Sequence, residues 1–177
     1  MIQRTKGAQS LAFAEAPCII SSASVVGKKE SEGPLGELFD MAGEDDLFGE
    51  KTWEEAESRI QKEACVLALG KAHVGPDQVR YLYGGDLLRQ GIATSMGAEE
   101  LQIPLFGLFG ACSTSGEALA LAAMSAAAGY GEYMLAVTSS HFGTAEKEIS
   151  THGKEEVLYH YPHLLPLRQA PHRTHLL

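Results

Sequence analysis

The chain is 177 residues long, with 45% hydrophobic and 21% charged residues and a formal net charge of -9. That length fits one domain or part of a larger one, and the apolar content is ample for a buried core. The acidic balance excludes the basic stripe that nucleic-acid binding needs, but not a small anionic ligand, because a few oriented N–H groups outweigh diffuse surface charge at short range.

In chain order, Pro17-Cys18-Ile19-Ile20-Ser21-Ser22-Ala23-Ser24-Val25-Val26 reads as a buried strand ending in small residues. Residues 27–49 are rich in glycine and acidic side chains, a long connection that is either functional or simply solvated. Thr52-Trp53-Glu54-Glu55 is a capping-box signature. Behind it Trp53, Ala56, Ile60, Ala64, Leu67 and Ala68 recur at helical spacing. This predicts a helix over 53–72, with Glu54, Glu57 and Lys62 on a solvated face and Cys65 in the core. Gly75-Pro76-Asp77 marks a turn, and residues 79–83 read as a strand ending at Gly84-Gly85-Asp86. A short helix over 92–101 stops at Ile103-Pro104. A strand over 105–108 leads to Cys112, and an alanine-rich helix over 113–128 is closed by Gly129. Its small side chains suit a helix buried in the middle of a layered fold. Residues 133–138 form the next strand, followed by Ser139-Ser140-His141-Phe142.

Strands alternating with helices imply an α/β domain with a mostly parallel sheet covered by helices, and such sheets bind ligands at the carboxyl ends of their strands. Asp86, Cys112 and His141 each follow a strand at that end, so three distant residues share one rim. Cys112 lies where a short apolar run breaks at glycine and restarts as a helix. Unpaired N–H groups and the positive dipole end there favour a thiolate or a bound anion, so the position is either a nucleophile site or an anion pocket. His141 either orients ligand or thiol or is a hydrogen-bonded histidine at a strand end. Asp86 either holds calcium or fixes a glycine turn through backbone N–H groups. Arg89 and Gln90 are candidates for carboxylate recognition, since arginine can grip a carboxylate with two parallel bonds. Ser113, Thr114 and Ser115 either supply donors or cap the helix. Phe106, Phe109 and Phe142 either line a flat slot or belong to the core.

Cys18, Cys65 and Cys112 are widely spaced and form no zinc or disulfide pattern, which suits a reducing compartment. No secretory signal is read at the N-terminus, and the longest apolar stretch, 118–128, is too short to span a bilayer. Residues 1–148 read as the domain. Residues 149–177 read as an irregular, poorly ordered tail that carries five of the seven histidines and three prolines. Those histidines match no standard ligand spacing, so no metal and no cofactor is assigned.

Several segments, taken in order, resemble one family. They include Ile19-Ile20-Ser21-Ser22-Ala23-Ser24-Val25-Val26-Gly27, Glu32-Gly33-Pro34-Leu35-Gly36, Phe48-Gly49-Glu50-Lys51-Thr52-Trp53, Gly85-Asp86-Leu87-Leu88-Arg89-Gln90, Gly110-Ala111-Cys112-Ser113-Thr114-Ser115 and Thr138-Ser139-Ser140-His141-Phe142. Across 12–146 they are similar to the stage V sporulation protein AD family of spore-forming Firmicutes.

The resemblance implies the thiolase-like fold, in which two similar halves pack about a pseudo-twofold axis, usually in a homodimer. This chain would carry one N-terminal βαβαβαβ half, with Cys112 where thiolases and ketoacyl synthases place their nucleophile. The family implies a binder of dipicolinic acid, or of its calcium chelate, rather than an enzyme. It works with other proteins of its operon at the spore inner membrane, in dipicolinate uptake and its release at germination. On that reading the ligand-binding set is Cys112, Asp86, His141, Arg89, Gln90 and Ser113. The tail reads as a frame-shifted ending in place of the second half. The alternative is an acyltransferase of thiolase or ketoacyl-synthase type with Cys112 as nucleophile.

Overall fold

The structure is a computed structural model and describes residues 5–87, 91–140 and 167–168. A small hairpin of β1 (Thr5–Lys6) and β2 (Ser10–Leu11) is followed by β3 (Cys18–Ile19), β4 (Val25–Val26), α1 (Lys28–Ser31) and β5 (Met41–Ala42). Then come α2 (Trp53–Ala72), β6 (Val79–Asp86), α3 (Ile92–Leu101), β7 (Leu105–Gly107), α4 (Thr114–Ala127), β8 (Tyr133–Ser139) and β9 (Leu167–Arg168). The main sheet has the order β3-β9-β8-β6-β7. Its centre is parallel, β6 pairing with both β7 and β8, while β9 runs antiparallel to β8 and β3.

The central strands are buried on both sides, and their side chains alternate between two cores. Leu82, Leu135 and Val137 pack against Cys65, Ala68, Leu69, Ala98 and Leu101 from α2 and α3. Tyr83, Met134 and Ala136 pack against Ala118, Ala122 and Ala126 of α4. The result is a helix–sheet–helix sandwich. The stripe Ala118, Ala122, Ala126 repeats every four residues, the spacing of one helix face, and methyl-sized side chains bring that helix close to the strands. Ser125 interrupts the apolar run of α4 because the Tyr83 hydroxyl meets it at 2.5 Å.

Thr52 and Glu55 close the predicted capping box, each side chain bonding the other's backbone N–H at 3.2 and 3.1 Å. The helix ends at His73 in the left-handed region, φ 55, with Val74 N donating to the Leu69 carbonyl at 3.0 Å. The bounds of α2 and α3 match the sequence pattern.

Three readings need correction. The single strand over 17–26 is instead two short strands, β3 exposed and β4 buried, and they belong to different sheets. The connection 27–49 is partly ordered: β5 pairs in parallel with β4, and Asp40 bonds Lys71 and Ser24. The glycines after Tyr83 do not end β6. At Gly84 a side-chain carbon would lie 2.5 Å from Val137 Cγ1, so glycine there allows close strand contact. In addition, α4 is covered on one side only by described residues, with Leu121 and Met124 on its outer face 37% and 42% exposed. Of the tail, Leu167–Arg168 pairs with β8 and β3, and the rest lies outside the described residues.

Candidate ligand site at the carboxyl ends of the strands

Because β6 and β7 are parallel neighbours, Asp86 and the segment after Gly107 emerge at the same end of the sheet. Cys112 sits there in a single turn of 3-10 helix, Ala111–Ser113, that runs directly into α4. The residue is exposed, as a ligand-accessible thiol requires. Ala111 before it holds φ 49, a left-handed conformation that costs a residue with a side chain about 1 kcal/mol. Neighbouring bonds hold the turn: Gly110 N donates to Thr114 Oγ1 at 3.0 Å, and Ser113 N to the Gly110 carbonyl at 3.0 Å. The Ser113 hydroxyl is engaged within the turn, facing the Gly110 carbonyl at 2.8 Å and the Glu117 carboxylate. Glu117 thus brings negative charge to the first turn of α4, opposing the dipole there.

Asp86 is fully buried. Its carboxylate accepts from Gly91 N at 3.1 Å, Thr94 N at 3.2 Å and Thr94 Oγ1 at 3.0 Å. These bonds draw the turn-fixing one of its two sequence readings: the carboxylate closes the connection onto the start of α3. Arg89, Gln90, His141 and Phe142 lie outside the described residues. Phe106 and Phe109 are 49% and 62% exposed, so neither is core. Phe106 stacks on Tyr83 and meets Tyr81 edge-on, both with ring centres 5.1 Å apart.

Sequence reasoning missed the buried polar chain beside Asp86. Gln61 Nε2 donates to Thr94 Oγ1 at 3.0 Å and to Ser139 Oγ at 2.6 Å. Ser139 in turn donates to Glu57 Oε1 at 2.6 Å. Glu57, placed on a solvated face by its charge, is completely buried. A signal was available: Glu57 precedes Ile60 and Ala64 by three and seven residues, the spacing of the apolar stripe itself.

Cys65 is buried in the core as expected, and loss of solvation pushes its thiol up to about 12. Among the described residues no group of three or more His, Cys, Asp or Glu side chains is placed to hold a metal. None of the described helices is long and apolar enough to cross a membrane.

The helix–sheet–helix layering, in this strand order, is that of the thiolase-like fold. Solved structures agree. The priming β-ketosynthase of the R1128 polyketide pathway superimposes with a TM-score of 0.58 at 15% identity, over 93% of this chain and 53% of that one. The 3-oxoacyl-[acyl-carrier-protein] synthase III of Aquifex aeolicus VF5 does so at 0.60 and 13% identity, over 89% and 55%. Within that class the particular family is clear: the model of stage V sporulation protein AD matches residues 7–151, and the chain belongs to this family. Stage V sporulation protein AD of Bacillus subtilis (strain 168) is 40% identical over 143 residues, which are 80% of this chain and 42% of that protein. The chain therefore spans about two fifths of the curated relative it matches.

Proposed function

We propose that this chain is a non-catalytic, thiolase-like binder of dipicolinic acid or its calcium chelate, serving dipicolinate uptake into the developing spore and release at germination. The observation that carries the reading is the exposed Cys112 at the start of α4, in a chain of a sporulation family. Dipicolinate is a flat, rigid dianion. It needs polar donors beside an apolar surface, and the exposed turn that carries Cys112, with the exposed ring of Phe109 three residues before it, supports this reading. Cys112 and Ser113 line the approach, and Asp86 shapes it from below. Arg89, Gln90 and His141 complete the ligand set. The protein acts as a homodimer with other products of its operon, peripherally at the spore inner membrane.

The second reading, an acyltransferase with Cys112 as nucleophile, is favoured by the exposed thiol and by the synthase neighbours. The Glu117 carboxylate in the first turn of α4 sets negative charge beside either anion, so it does not separate the two readings.

Calorimetric titration of this chain with dipicolinate, with and without calcium, tests the proposal. Binding is expected for the wild type and its loss for Cys112→Phe; equal binding by both overturns the site. Incubation with acetyl-CoA followed by mass analysis separates the readings, because an adduct on Cys112 would establish the transferase.

A further inference from the structure

We infer that Gln61 is a positioning residue for the Cys112 rim, acting through a buried clamp on the ends of the two central strands. Asp86 and Ser139 are the last residues of β6 and β8 and face each other in register. Gln61, only 2% exposed, reaches both sides of this pair with one amide nitrogen. One amide hydrogen goes to Ser139 Oγ and the other to Thr94 Oγ1. Each hydroxyl then spends its only hydrogen on a carboxylate, Ser139 on Glu57 and Thr94 on Asp86. The donor count closes in this direction. A reversed amide would set its carbonyl oxygen against two hydroxyls whose hydrogens are already committed.

The same strand end touches the cysteine turn from its other side. Leu108 N donates to the Gly84 carbonyl at 2.8 Å. At Gly85, a side-chain carbon would lie 2.1 Å from the Leu108 carbonyl oxygen and 3.0 Å from Thr114 Cγ2. Leu108 and Thr114 flank Cys112, and Thr114 Oγ1 holds Gly110 N. Backbone therefore rests on backbone with no compliant side chain between them, and close-packed interiors transmit displacement. A shift of Asp86 moves the floor under the cysteine turn. Gln61, Glu57, Thr94 and Ser139 thus set the rim without reaching it.

The inference rests on the Cys112 rim being the ligand site, so its test has an arm that needs no ligand. In the full chain carrying Cys18→Ser, which leaves Cys112 as the exposed thiol, the rate of Cys112 alkylation by iodoacetamide is measured beside dipicolinate affinity. Gln61→Met and Thr94→Val are each expected to change the alkylation rate and weaken dipicolinate binding by about fivefold, the effect of one ordinary hydrogen bond. Thr94→Ser keeps the hydroxyl and is expected to restore both. Leu101→Ala, a core change away from the clamp, destabilises the chain but is expected to leave the alkylation rate alone. Unchanged alkylation in both Gln61→Met and Thr94→Val, or an equal change in Leu101→Ala, overturns the inference. If Gln61→Met does not fold, Thr94→Val against Thr94→Ser decides alone. Should the wild type not bind dipicolinate at all, the ligand reading falls, and the alkylation series still decides the positioning role.

Discussion

At the scale of single residues, Gly85 leaves almost no room for a side chain. It lies in a central strand, where glycine is ordinarily a weakness, yet no other side chain fits over the Leu108 carbonyl. Gly85→Ala must push either the strand or the cysteine turn aside, and overpacking against backbone costs about 1–3 kcal/mol. Urea denaturation should show that loss, with the dipicolinate affinity reduced in step. An alanine variant as stable as the wild type would mean that the turn yields freely. The same pair of glycines explains why the end of β6 was misread from sequence. A local pattern reports glycine as punctuation, whereas the reason for it here is a carbonyl from a segment more than twenty residues away. Glu57 and Gln61 escaped notice for the converse reason. Charge placed Glu57 in solvent and nothing local marked Gln61, whereas the distant Ser139 and Thr94 supply the partners that let both be buried.

At the scale of elements, α2 and α3 were legible because their signals are local: a capping box, an apolar period and a proline stop. The segment before α2 was not, because its order depends on a long-range clasp. Asp40 accepts from Ser24 N at 2.9 Å and from Lys71 Nζ at 2.6 Å, and Lys71 also reaches the Ser22 carbonyl at 2.8 Å. This joins β4 and β5 to the last turn of α2. The Lys71 ammonium holds the Asp40 carboxyl below its ordinary value of 3.8; burial works against it, and the bonds from Ser24 add to the lowering. A carboxyl lowered by folding stabilises the fold above its ordinary range and loses that contribution as pH falls through the lowered value. Both side chains are partly exposed, so Lys71→Ala is expected to cost only about 0.5 kcal/mol at neutral pH. The difference from wild type should shrink toward zero as the pH is taken well below 3.8. Chemical denaturation of the pair at neutral and acidic pH checks this; a gap that persists in acid would assign the effect to the Lys71 bond to the Ser22 carbonyl or to packing instead of the ion pair.

At the scale of the whole molecule, the two sides of the sheet are finished differently. On one side α2 and α3 share a continuous core with the strands. On the other, α4 packs its alanine stripe inward while its outer face meets no described element beyond the hairpin margin. Leu121 and Met124 from that face, with Tyr130 from the turn after the helix and Leu11 and Phe13, line an open hollow of about 350 Å³. Leu11 and Tyr130 are 55% and 68% exposed. Exposed apolar side chains grouped in a hollow offer a surface to apolar probes. The chain should therefore enhance the fluorescence of anilinonaphthalene sulfonate under conditions where it is fully folded. Leu121→Gln with Met124→Gln removes the centre of the face without touching the buried stripe, so stability should stay within about 0.5 kcal/mol per site while the dye signal drops. Paired dye titrations and urea curves separate the alternatives. If the double variant keeps the full signal, the dye is reading a loosened core, and the outer face of α4 is not the apolar surface it presents in this fold.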